Sequence, residues 1–357
     1  MMAAVIGCGR MGVFPRESVR RFAPRCWFPL SHADAIQRHP ELKLGALCDT
    51  NPQALQRAAA LHTGSRTYSD YRRLIDEVAP QLIGIATRTP GRAQIIQHAA
   101  DHGVRALHIE KPLCNSVQEL AALTRTFARG DLYCTYGAIR RYFSIYQTGR
   151  RLAHGGAYGS LREIRVNMGR GALYWTHPHS VDLILYIAGE RRVAAVQARL
   201  ANVVNGDARL AISSDPVVES ASIYFEGGLA GHITQAAGSD LVLSCSEAEI
   251  TVESDGRGIC IAAARGEDPY LSRTAYDGLS ETPAEEGTLA PVSHLAGCLS
   301  GDPDQIPISA SSKAHMLEGQ RILFAMVQSH LENSRPVKLA DIDPALTIDA
   351  KTGENFA

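Results

Sequence analysis

A glycine-rich turn directly behind the first apolar run strongly constrains the fold of this chain. Residues 5–12 read Val-Ile-Gly-Cys-Gly-Arg-Met-Gly, so Gly7, Gly9 and Gly12 stand at the spacing G-x-G-x-x-G after a predicted strand at residues 3–6. In such a turn the first glycine permits the tight bend, the second lets the backbone approach a pyrophosphate, and the third allows close packing of helix on strand. The phosphates then lie at the positive end of the helix. The turn therefore predicts a dinucleotide site.

Short apolar runs alternate with helical periodicity through the first third of the chain. Further strands are predicted at residues 44–48, 82–86, 106–109 and 132–136, and helices at residues 52–61, 71–78, 91–102 and 117–128. Strands that alternate with helices indicate parallel βαβ units, whose sheet is covered on both faces. We therefore predict an α/β first domain at residues 1–136.

The pattern changes after Gly137. Strands are predicted at residues 161–168, 193–201, 221–225, 229–236, 242–246, 249–253 and 258–262, and helices at residues 144–153, 180–188 and 311–332. Glu226-Gly227-Gly228 and Ser254-Asp255-Gly256 supply hairpin turns, and residues 266–291 read as a long surface loop. The second domain, residues 137–357, is therefore predicted to be α+β, with a largely antiparallel open sheet.

An acidic residue follows the second predicted strand. The carboxylate of Asp49 can accept both ribose hydroxyls of a dinucleotide and would repel a 2'-phosphate, so we expect NAD rather than NADP. Asp49 follows Gly12 by 37 positions, where the standard unit has ~20. Residues 13–29 are therefore a predicted insertion, and the helix resumes at Ser31. The four arginines of this insertion lie either over the cofactor phosphates, which would favour NADP, or in a solvated excursion.

Composition excludes several kinds of partner. The 357 residues carry 36 Lys plus Arg against 37 Asp plus Glu, so the basic face that nucleic acids or anionic membranes require is not expected. The longest apolar stretches, such as residues 183–188, are far shorter than the ~20 residues that span a bilayer. The start lacks the pattern of a secretory signal, which predicts a cytoplasmic protein. The eight dispersed cysteines predict free thiols.

A distinctive pattern occurs at residues 107–113, Leu-His-Ile-Glu-Lys-Pro-Leu. Together with the glycine turn it resembles the Gfo/Idh/MocA family, which contains glucose-fructose oxidoreductase and inositol dehydrogenase. The resemblance covers nearly the whole chain and includes residues 31–36, 47–52, 136–142, 179–182, 225–228 and 311–320. It implies a Rossmann domain with a doubly wound parallel sheet, and a second domain whose open sheet often mediates oligomers, here a homodimer or homotetramer. It also implies NAD(P)-dependent chemistry on a sugar, cyclitol or related carbonyl compound.

Hydride transfer between an alcohol carbon and a nicotinamide requires a group that moves the hydroxyl proton and a cation that polarises the forming carbonyl. Lys111 follows a predicted strand at the carboxyl edge of the parallel sheet, where ligands of such sheets bind. The resemblance implies that Lys111 is the catalytic cation that orients the substrate. The alternative is a surface lysine that pairs with Glu110.

His179 is the candidate proton shuttle, because neutral imidazole accepts and returns a proton near neutral pH. It lies at a predicted helix start, three residues before Asp182 on the same helical face. The resemblance places the family's catalytic histidine at this position. His177 is close enough to assist or replace it. A metal site formed by His177 and His179 lacks a third ligand nearby, so we predict no metal.

Two departures from the family pattern concern the substrate. Trp175 stands where an aspartate commonly contacts the substrate, and Arg92 replaces a family histidine. Arg88 and Arg92 indicate either an anionic group on the substrate or a solvated loop. Arg140 and its neighbours are predicted to line the cleft, unless one arginine ties the domains together. We predict cofactor contacts from Gly7, Gly9, Arg10, Met11, Gly12, Asp49, Thr87 and Glu110, and substrate contacts from Arg92, Arg140, Arg141, Tyr142, Trp175 and Asp182.

Three functions agree with these patterns. The leading hypothesis is an NAD(P)-dependent dehydrogenase or reductase that acts on a hydroxyl or carbonyl group of a sugar, nucleotide sugar or cyclitol. The second is reduction of an imine or another biosynthetic intermediate. The third is a dinucleotide-binding sensor or partner subunit without turnover, for which Trp175 is the main support.

Overall fold

The computed structural model describes residues 1–206, 210–266, 268–280 and 284–349. Contacts divide the chain into two compact units. Unit 1 comprises Met1–Ile139 and Glu285–Leu317, and unit 2 comprises Arg140–Ala284 and residues 318–349. The long last helix belongs to unit 1 up to Leu317 and to unit 2 from Glu318.

The strands are β1 (Met2–Ile6), β2 (Lys43–Cys48), β3 (Arg66–Tyr68), β4 (Leu82–Ile85), β5 (Ala106–Ile109), β6 (Tyr133–Tyr136), β7 (Leu161–Asn167), β8 (Val193–Ala201), β9 (Ala211–Ile212), β10 (Val217–Phe225), β11 (Ala230–Thr234), β12 (Asp240–Cys245), β13 (Ala248–Glu253), β14 (Gly258–Arg265), β15 (Asp268–Ala275) and β16 (Thr347–Ile348). The helices are α1 (Glu17–Phe22), α2 (His32–Arg38), α3 (Pro52–Leu61), α4 (Tyr71–Val78), α5 (Arg92–Asp101), α6 (Val117–Phe127), α7 (Ser144–His154), α8 (His177–Ala188), α9 (Leu289–Ser300) and α10 (Gln305–Leu331). None of the helices in the described part of the chain combines the length and the apolar content needed to cross a membrane.

Unit 1 contains a six-stranded parallel sheet in the order β3-β2-β1-β4-β5-β6. This is the doubly wound order, in which β1 and β4 flank the point where the strand order reverses. Side-chain caps begin the helices. Asn51 accepts the N–H groups of Gln53 and Ala54 at the start of α3, and Ser116 accepts that of Glu119 at the start of α6. These local signals explain why the helix starts were predictable.

The predicted insertion is confirmed. The N–H groups of His32 and Ala33 donate to the carbonyl oxygens of Met11 and Gly12, both at 2.9 Å. The chain therefore leaves the glycine turn after Gly12 and returns to it at His32, where α2 begins directly after its N-cap residue Ser31. Between these points lie α1, none of whose residues is buried, and a short 3-10 turn.

Unit 2 contains an eight-stranded mixed sheet in the order β15-β14-β13-β12-β7-β11-β10-β8. Strands β7 and β11 are parallel, and the other pairs are antiparallel. Both predicted hairpin turns occur, between β10 and β11 and between β13 and β14. Helix α7 packs on β12, β13 and β14, and α8 packs on β7 and β11. Strands β9 and β16 form a separate parallel pair. The predicted fold class is confirmed.

Several details differ from the sequence-based expectations; for example, the last helix begins at Gln305 rather than at residue 311. The predicted loop at residues 266–291 contains β15 and the first residues of α9, and α8 begins at His177 rather than at residue 180. Contact division also assigns Glu285–Leu317 to unit 1, so residues 137–357 are not one continuous unit. The reason is packing, because α9 contacts β5, β6 and α2, and its Val292 and Leu295 belong to the apolar core of unit 1.

Candidate functional site

The glycine turn behind β1 closes tightly on itself on one side and is open on the other. Gly7 adopts φ +97°, and a Cβ there would lie 2.6 Å from the carbonyl carbon of Ala86. A Cβ on Gly12 would lie 1.8 Å from the carbonyl oxygen of Gly7. No described atom lies within 4 Å of a Cβ placed on Gly9. The geometry fits a diphosphate that approaches the backbone at Gly9.

Asp49 holds the same turn from the end of β2. Its Oδ2 accepts the N–H of Cys8 at 2.7 Å, and its Oδ1 accepts the N–H of Asn51 at 2.8 Å. An ionised carboxylate has about four lone-pair directions, so these two bonds leave acceptor capacity for ribose hydroxyls. Asp49 therefore stabilises the turn and is also suited to its predicted cofactor contact.

Three of the predicted cofactor residues and the predicted catalytic Lys111 follow strands that end at one edge of the sheet. Gly7, Asp49, Thr87 and Lys111 come directly after β1, β2, β4 and β5 or one residue later, and these strands are parallel neighbours. A Cβ on Gly7 would lie 2.8 Å from the backbone nitrogen of Thr87. The structure therefore gathers this part of the predicted site. Met11 is exposed within the turn.

Arginines surround the glycine turn. The pKa of Arg10 is below its ordinary value because the side chain is partly desolvated and because the charges of Arg16 and Arg88 repel it. Arg16 belongs to the insertion, and Arg88 follows β4. Positive charge from three parts of unit 1 thus accumulates next to the turn, where an anionic group would relieve the repulsion.

Glu110 precedes Lys111, and its side chain is buried. Its carboxylate is buried, with Oε1 3.2 Å from His32 Nε2, and Oε2 accepts the N–H of Lys111 at 3.3 Å. Burial raises its pKa, but the hydrogen bond and charge of His32, together with Lys111 and His108, hold the pKa below its ordinary value. This placement corrects the predicted cofactor contact, because the carboxylate supports the main chain at the half-buried Lys111.

Arg92 is also placed differently from the prediction. Its guanidinium is only 2% exposed, and it donates to the carbonyl oxygens of Glu110, at 2.6 Å, and of Pro112 and Thr87. Burial lowers its pKa to about 10. The predicted substrate contact is therefore corrected, since this side chain ties the loop after β4 to the segment around Lys111.

In unit 2, Arg141 and Asp182 satisfy each other. Arg141 Nε and Nη2 donate to the two carboxylate oxygens at 2.9 and 2.6 Å, and both side chains are buried. Burial raises the pKa of Asp182, which the charge of Arg141 offsets in part. The structure directs two guanidinium nitrogens of Arg141 at Asp182, and the predicted substrate contacts of both residues stay predictions.

Arg140 is likewise held inside unit 2. Its guanidinium donates to both carboxylate oxygens of Asp255 at 2.7 and 3.1 Å, and Tyr146 Oη donates to the same carboxylate at 3.2 Å. Tyr142 is buried next to it in the sequence. Both side chains lie in the interior of the unit, and the substrate contacts predicted for Arg140 and Tyr142 stay predictions.

The two histidines at the start of α8 have different environments. His177 is fully buried, with Nε2 3.2 Å from the Gly171 carbonyl oxygen and Nδ1 3.1 Å from Ser180 Oγ. Burial lowers its pKa to about 4, so it remains neutral and its predicted proton transfer is corrected to a structural role. His179 is half-buried and Trp175 is 37% exposed, so both keep surface available to a ligand.

Sequence reasoning missed His32, His108 and Asp255 as partners of the predicted residues. His108 carried a readable signal, because it is a polar residue inside the apolar run Ala106–Ile109. Asp255 read as a turn residue only, since nothing local indicates that Arg140, 115 positions earlier, would reach it.

Comparisons with known proteins agree with this geometry. Residues 1–138 match the family model GFO_IDH_MocA, described as an oxidoreductase family with an NAD-binding Rossmann fold. An uncharacterized oxidoreductase of Bacillus subtilis (strain 168), YrbE, is 23% identical over 218 residues, which are 57% of this chain. The match spans 58% of the length of that curated relative.

Solved structures share the fold over almost the whole chain. An inositol dehydrogenase homolog from Azotobacter vinelandii, complexed with NADH and myo-inositol, has a TM-score of 0.70 at 16% identity, covering 95% of this chain and 97% of that one. An oxidoreductase from Agrobacterium radiobacter in complex with NAD+, L-tartaric acid and magnesium has a TM-score of 0.70 at 19% identity, with coverage of 95% and 98%. The aldose-aldose oxidoreductase of Caulobacter crescentus, complexed with glycerol, has a TM-score of 0.71 at 18% identity, with coverage of 95% and 99%.

The family match and the geometry of the glycine turn lead to the same conclusion. The resemblance stated from the sequence is confirmed, and NAD is confirmed as the cofactor of the family. Residues 1–138 of this chain match the family model of the Gfo/Idh/MocA oxidoreductases and share its NAD-binding Rossmann fold.

Proposed function

We propose that this protein transfers a hydride between the nicotinamide of NAD(P) and a hydroxyl or carbonyl carbon of a sugar, nucleotide sugar or cyclitol. The observation that carries the proposal is the common edge at which the open Gly9 turn, Asp49 and Lys111 follow neighbouring parallel strands. The family match supports the redox class. The relatives named with myo-inositol and with aldose substrates support the substrate class.

Residues of unit 1 would hold the coenzyme and stabilise charge. The nicotinamide supplies the carbon that accepts or gives the hydride. Backbone N–H groups of the glycine turn and nearby Arg10 bind its diphosphate, and Asp49 binds the adenosine ribose, which favours NAD. The Lys111 ammonium stabilises the negative charge that develops on the substrate oxygen. Glu110 and Arg92 position the backbone around Lys111 through the bonds described above.

Residues of unit 2 would handle the substrate and its proton. His179 is the proposed proton acceptor from the substrate hydroxyl, because it is half-buried whereas His177 is fixed in a neutral state. Trp175 offers an apolar ring where an aspartate would give a carboxylate. We therefore propose a substrate that presents an apolar face to this position, and assign substrate binding to unit 2.

Turnover tests the assignment of Lys111. Wild type and Lys111→Met are assayed for NAD(P) reduction with sugars, nucleotide sugars and cyclitols, and for the reverse reaction. We expect Lys111→Met to lower kcat/KM by about 10²–10³ without weakening NAD binding, because only charge stabilisation is lost. Lys43→Met is the matched control, since Lys43 begins β2 at the opposite edge of the sheet and is exposed. Unchanged turnover in Lys111→Met would refute the assignment.

A glycine variant tests the coenzyme site separately. Gly9→Ala adds a methyl group where no described atom lies within 4 Å, so the protein should fold normally while the diphosphate is displaced. We expect at least a tenfold weaker Kd for NAD by calorimetry. Gly130→Ala is the control, because its surroundings are equally open and it lies away from the turn. NAD binding with no turnover of any substrate in wild type would favour the non-catalytic sensor.

A further inference from the structure

Three metal-ligating side chains meet in the interior of unit 1. His32 begins α2, His108 lies in β5, and Glu110 follows that strand. Their exposed fractions are 0%, 1% and 4%. One ring nitrogen of each histidine and one carboxylate oxygen lie within 4.8 Å of one another, and the two ring centroids are 4.5 Å apart.

Two ring nitrogens of this cluster, His32 Nδ1 and His108 Nε2, make no hydrogen bond within the described residues. His108 Nδ1 is 2.9 Å from Thr135 Oγ1, whereas His108 Nε2 is buried and makes no hydrogen bond within the described part of the chain. Buried polar atoms without partners are rare because their desolvation is not compensated. In the tautomer that donates Nδ1–H to Thr135, Nε2 presents a lone pair.

Two glycines make room for the cluster. A Cβ on Gly84, in β4, would lie 2.6 Å from His32 Nδ1. A Cβ on Gly137, just after β6, would lie 2.7 Å from Glu110 Oε2. Any larger residue at position 84 or 137 would displace the side chain of His32 or of Glu110. The cluster is thus surrounded by the neighbouring strands β4, β5 and β6 and by helix α2.

We propose that His32, His108 and Glu110 form a buried binding site for a divalent transition-metal ion, with Zn²⁺ as the best-fitting ion. Two imidazoles and one carboxylate are a known zinc donor set. Thr135 bonded to His108, and the Lys111 N–H bonded to Glu110, are outer-shell partners that orient the ligands. Zn²⁺ would replace the present contact between His32 and Glu110 and satisfy His108 Nε2.

Charge limits the expected affinity. The donor set carries one negative charge, from Glu110, and the buried guanidinium of Arg92 donates to the carbonyl oxygen of the same residue. This cation repels a divalent ion. We therefore expect weaker binding than at a structural zinc site with thiolate ligands.

A second cluster on the surface of unit 1 is the competing explanation for any bound metal. Asp76, His98 and His102 also offer ligand atoms within 4.8 Å of one another, but Asp76 and His102 are exposed. The imidazole rings of His98 and His102 are stacked, with their centroids 3.8 Å apart. A test must therefore assign bound metal to one cluster or the other.

Metal content and spectra make this assignment. The full chain is stripped with chelator, loaded with ZnCl₂ or CoCl₂, dialysed and analysed for metal per chain. Wild type and the surface variant His98→Gln/His102→Gln should retain one ion, and His108→Leu should lose it. Bound Co²⁺ should show visible d–d bands without thiolate charge transfer. Absence of retained metal in wild type, or loss only in the surface variant, would overturn the proposal.

A milder variant guards against misfolding of His108→Leu. Thr135→Val keeps all three ligands and removes the outer-shell hydroxyl, so we expect a 10–100-fold weaker Kd for Zn²⁺. Unchanged affinity in Thr135→Val together with retained metal in folded His108→Leu would contradict the site. NAD binding is measured in parallel. The proposed reaction is argued from the glycine turn, Asp49 and Lys111 and not from a metal, so failure of the metal test leaves it untouched.

Discussion

The two units satisfy their buried arginines in different ways. In unit 1, Arg92 donates to three backbone carbonyl oxygens. In unit 2, Arg141 and Arg140 donate to the carboxylates of Asp182 and Asp255. Loss of an arginine that is paired with carbonyls leaves neutral acceptors unsatisfied, whereas loss of one that is paired with a carboxylate leaves a buried charge. The difference predicts unequal sensitivity to mutation and to pH.

The largest expected effect is that of Arg141→Met. The variant leaves the Asp182 carboxylate buried without a counter-charge, so the free energy of unfolding should fall by about 3–5 kcal/mol at neutral pH. Without Arg141, burial raises the pKa of Asp182 further. The folded variant then holds its proton at a higher pH than the unfolded chain does, so protonation of Asp182 stabilises the fold as the pH falls. The deficit relative to wild type should therefore shrink as the pH falls, which urea unfolding at two pH values measures.

A double variant sharpens this result. Arg141→Met/Asp182→Leu removes both charges, and we expect it to recover most of the lost stability, because well-packed apolar replacements of buried ion pairs are often neutral. A double variant no more stable than Arg141→Met would show that packing, not charge, dominates at this pair.

Arg92→Met should have a smaller effect. It leaves three carbonyl oxygens without their donor but no uncompensated carboxylate, so we expect a loss of about 2–3 kcal/mol. The loss should be nearly the same at pH 6 and pH 8, because carbonyl groups do not titrate. Arg92→Lys keeps the charge but not the planar fork, and should recover only part of the loss. A strong pH dependence in Arg92→Met would break the comparison between the units.

Buried histidines extend the comparison to acid sensitivity. The folded pKa of His177 is about 4 and the ordinary value is ~6.5, so the unfolded state binds more protons between these values and stability falls as the pH decreases. Protonation of His177 in the unfolded state should lower the free energy of unfolding at pH 5 by about 2 kcal/mol relative to neutral pH. His177→Gln should show a correspondingly weaker pH dependence in urea unfolding. An unchanged pH dependence would mean that another group controls acid sensitivity.

The smallest effect on stability is expected for Asp49→Asn. The amide retains an acceptor oxygen for one of the two backbone N–H groups, so the stability loss should stay below ~1 kcal/mol. The Kd for NAD should rise about tenfold, since the ribose hydroxyls lose their charged acceptor. Calorimetry with NAD and NADP measures both changes. A larger loss of stability than of affinity would make Asp49 a structural residue of the turn.

Features that act through local backbone were predictable from the sequence. The glycine turn, the Asn51 cap and the insertion follow from residue type and spacing within a few positions. Partners chosen over long separations were not, because no local pattern indicates that Arg141 meets Asp182, 41 positions away. The sequence therefore predicted substrate contacts for these arginines without indicating the carboxylates or carbonyls to which they donate.

Because the N–H groups of His32 and Ala33 donate to the carbonyl oxygens of Met11 and Gly12, the two ends of the excursion at residues 13–29 lie next to each other. Within the excursion, Cys26 and Pro29 accept the N–H groups of Gly287 and Thr288, whereas no residue of α1 is buried. Helix α1 is therefore the part that can be trimmed with little disturbance of the unit. These two ends lie at the glycine turn, where we propose that the diphosphate binds. Changes confined to α1 can thus alter the surface next to this turn without rebuilding the domain.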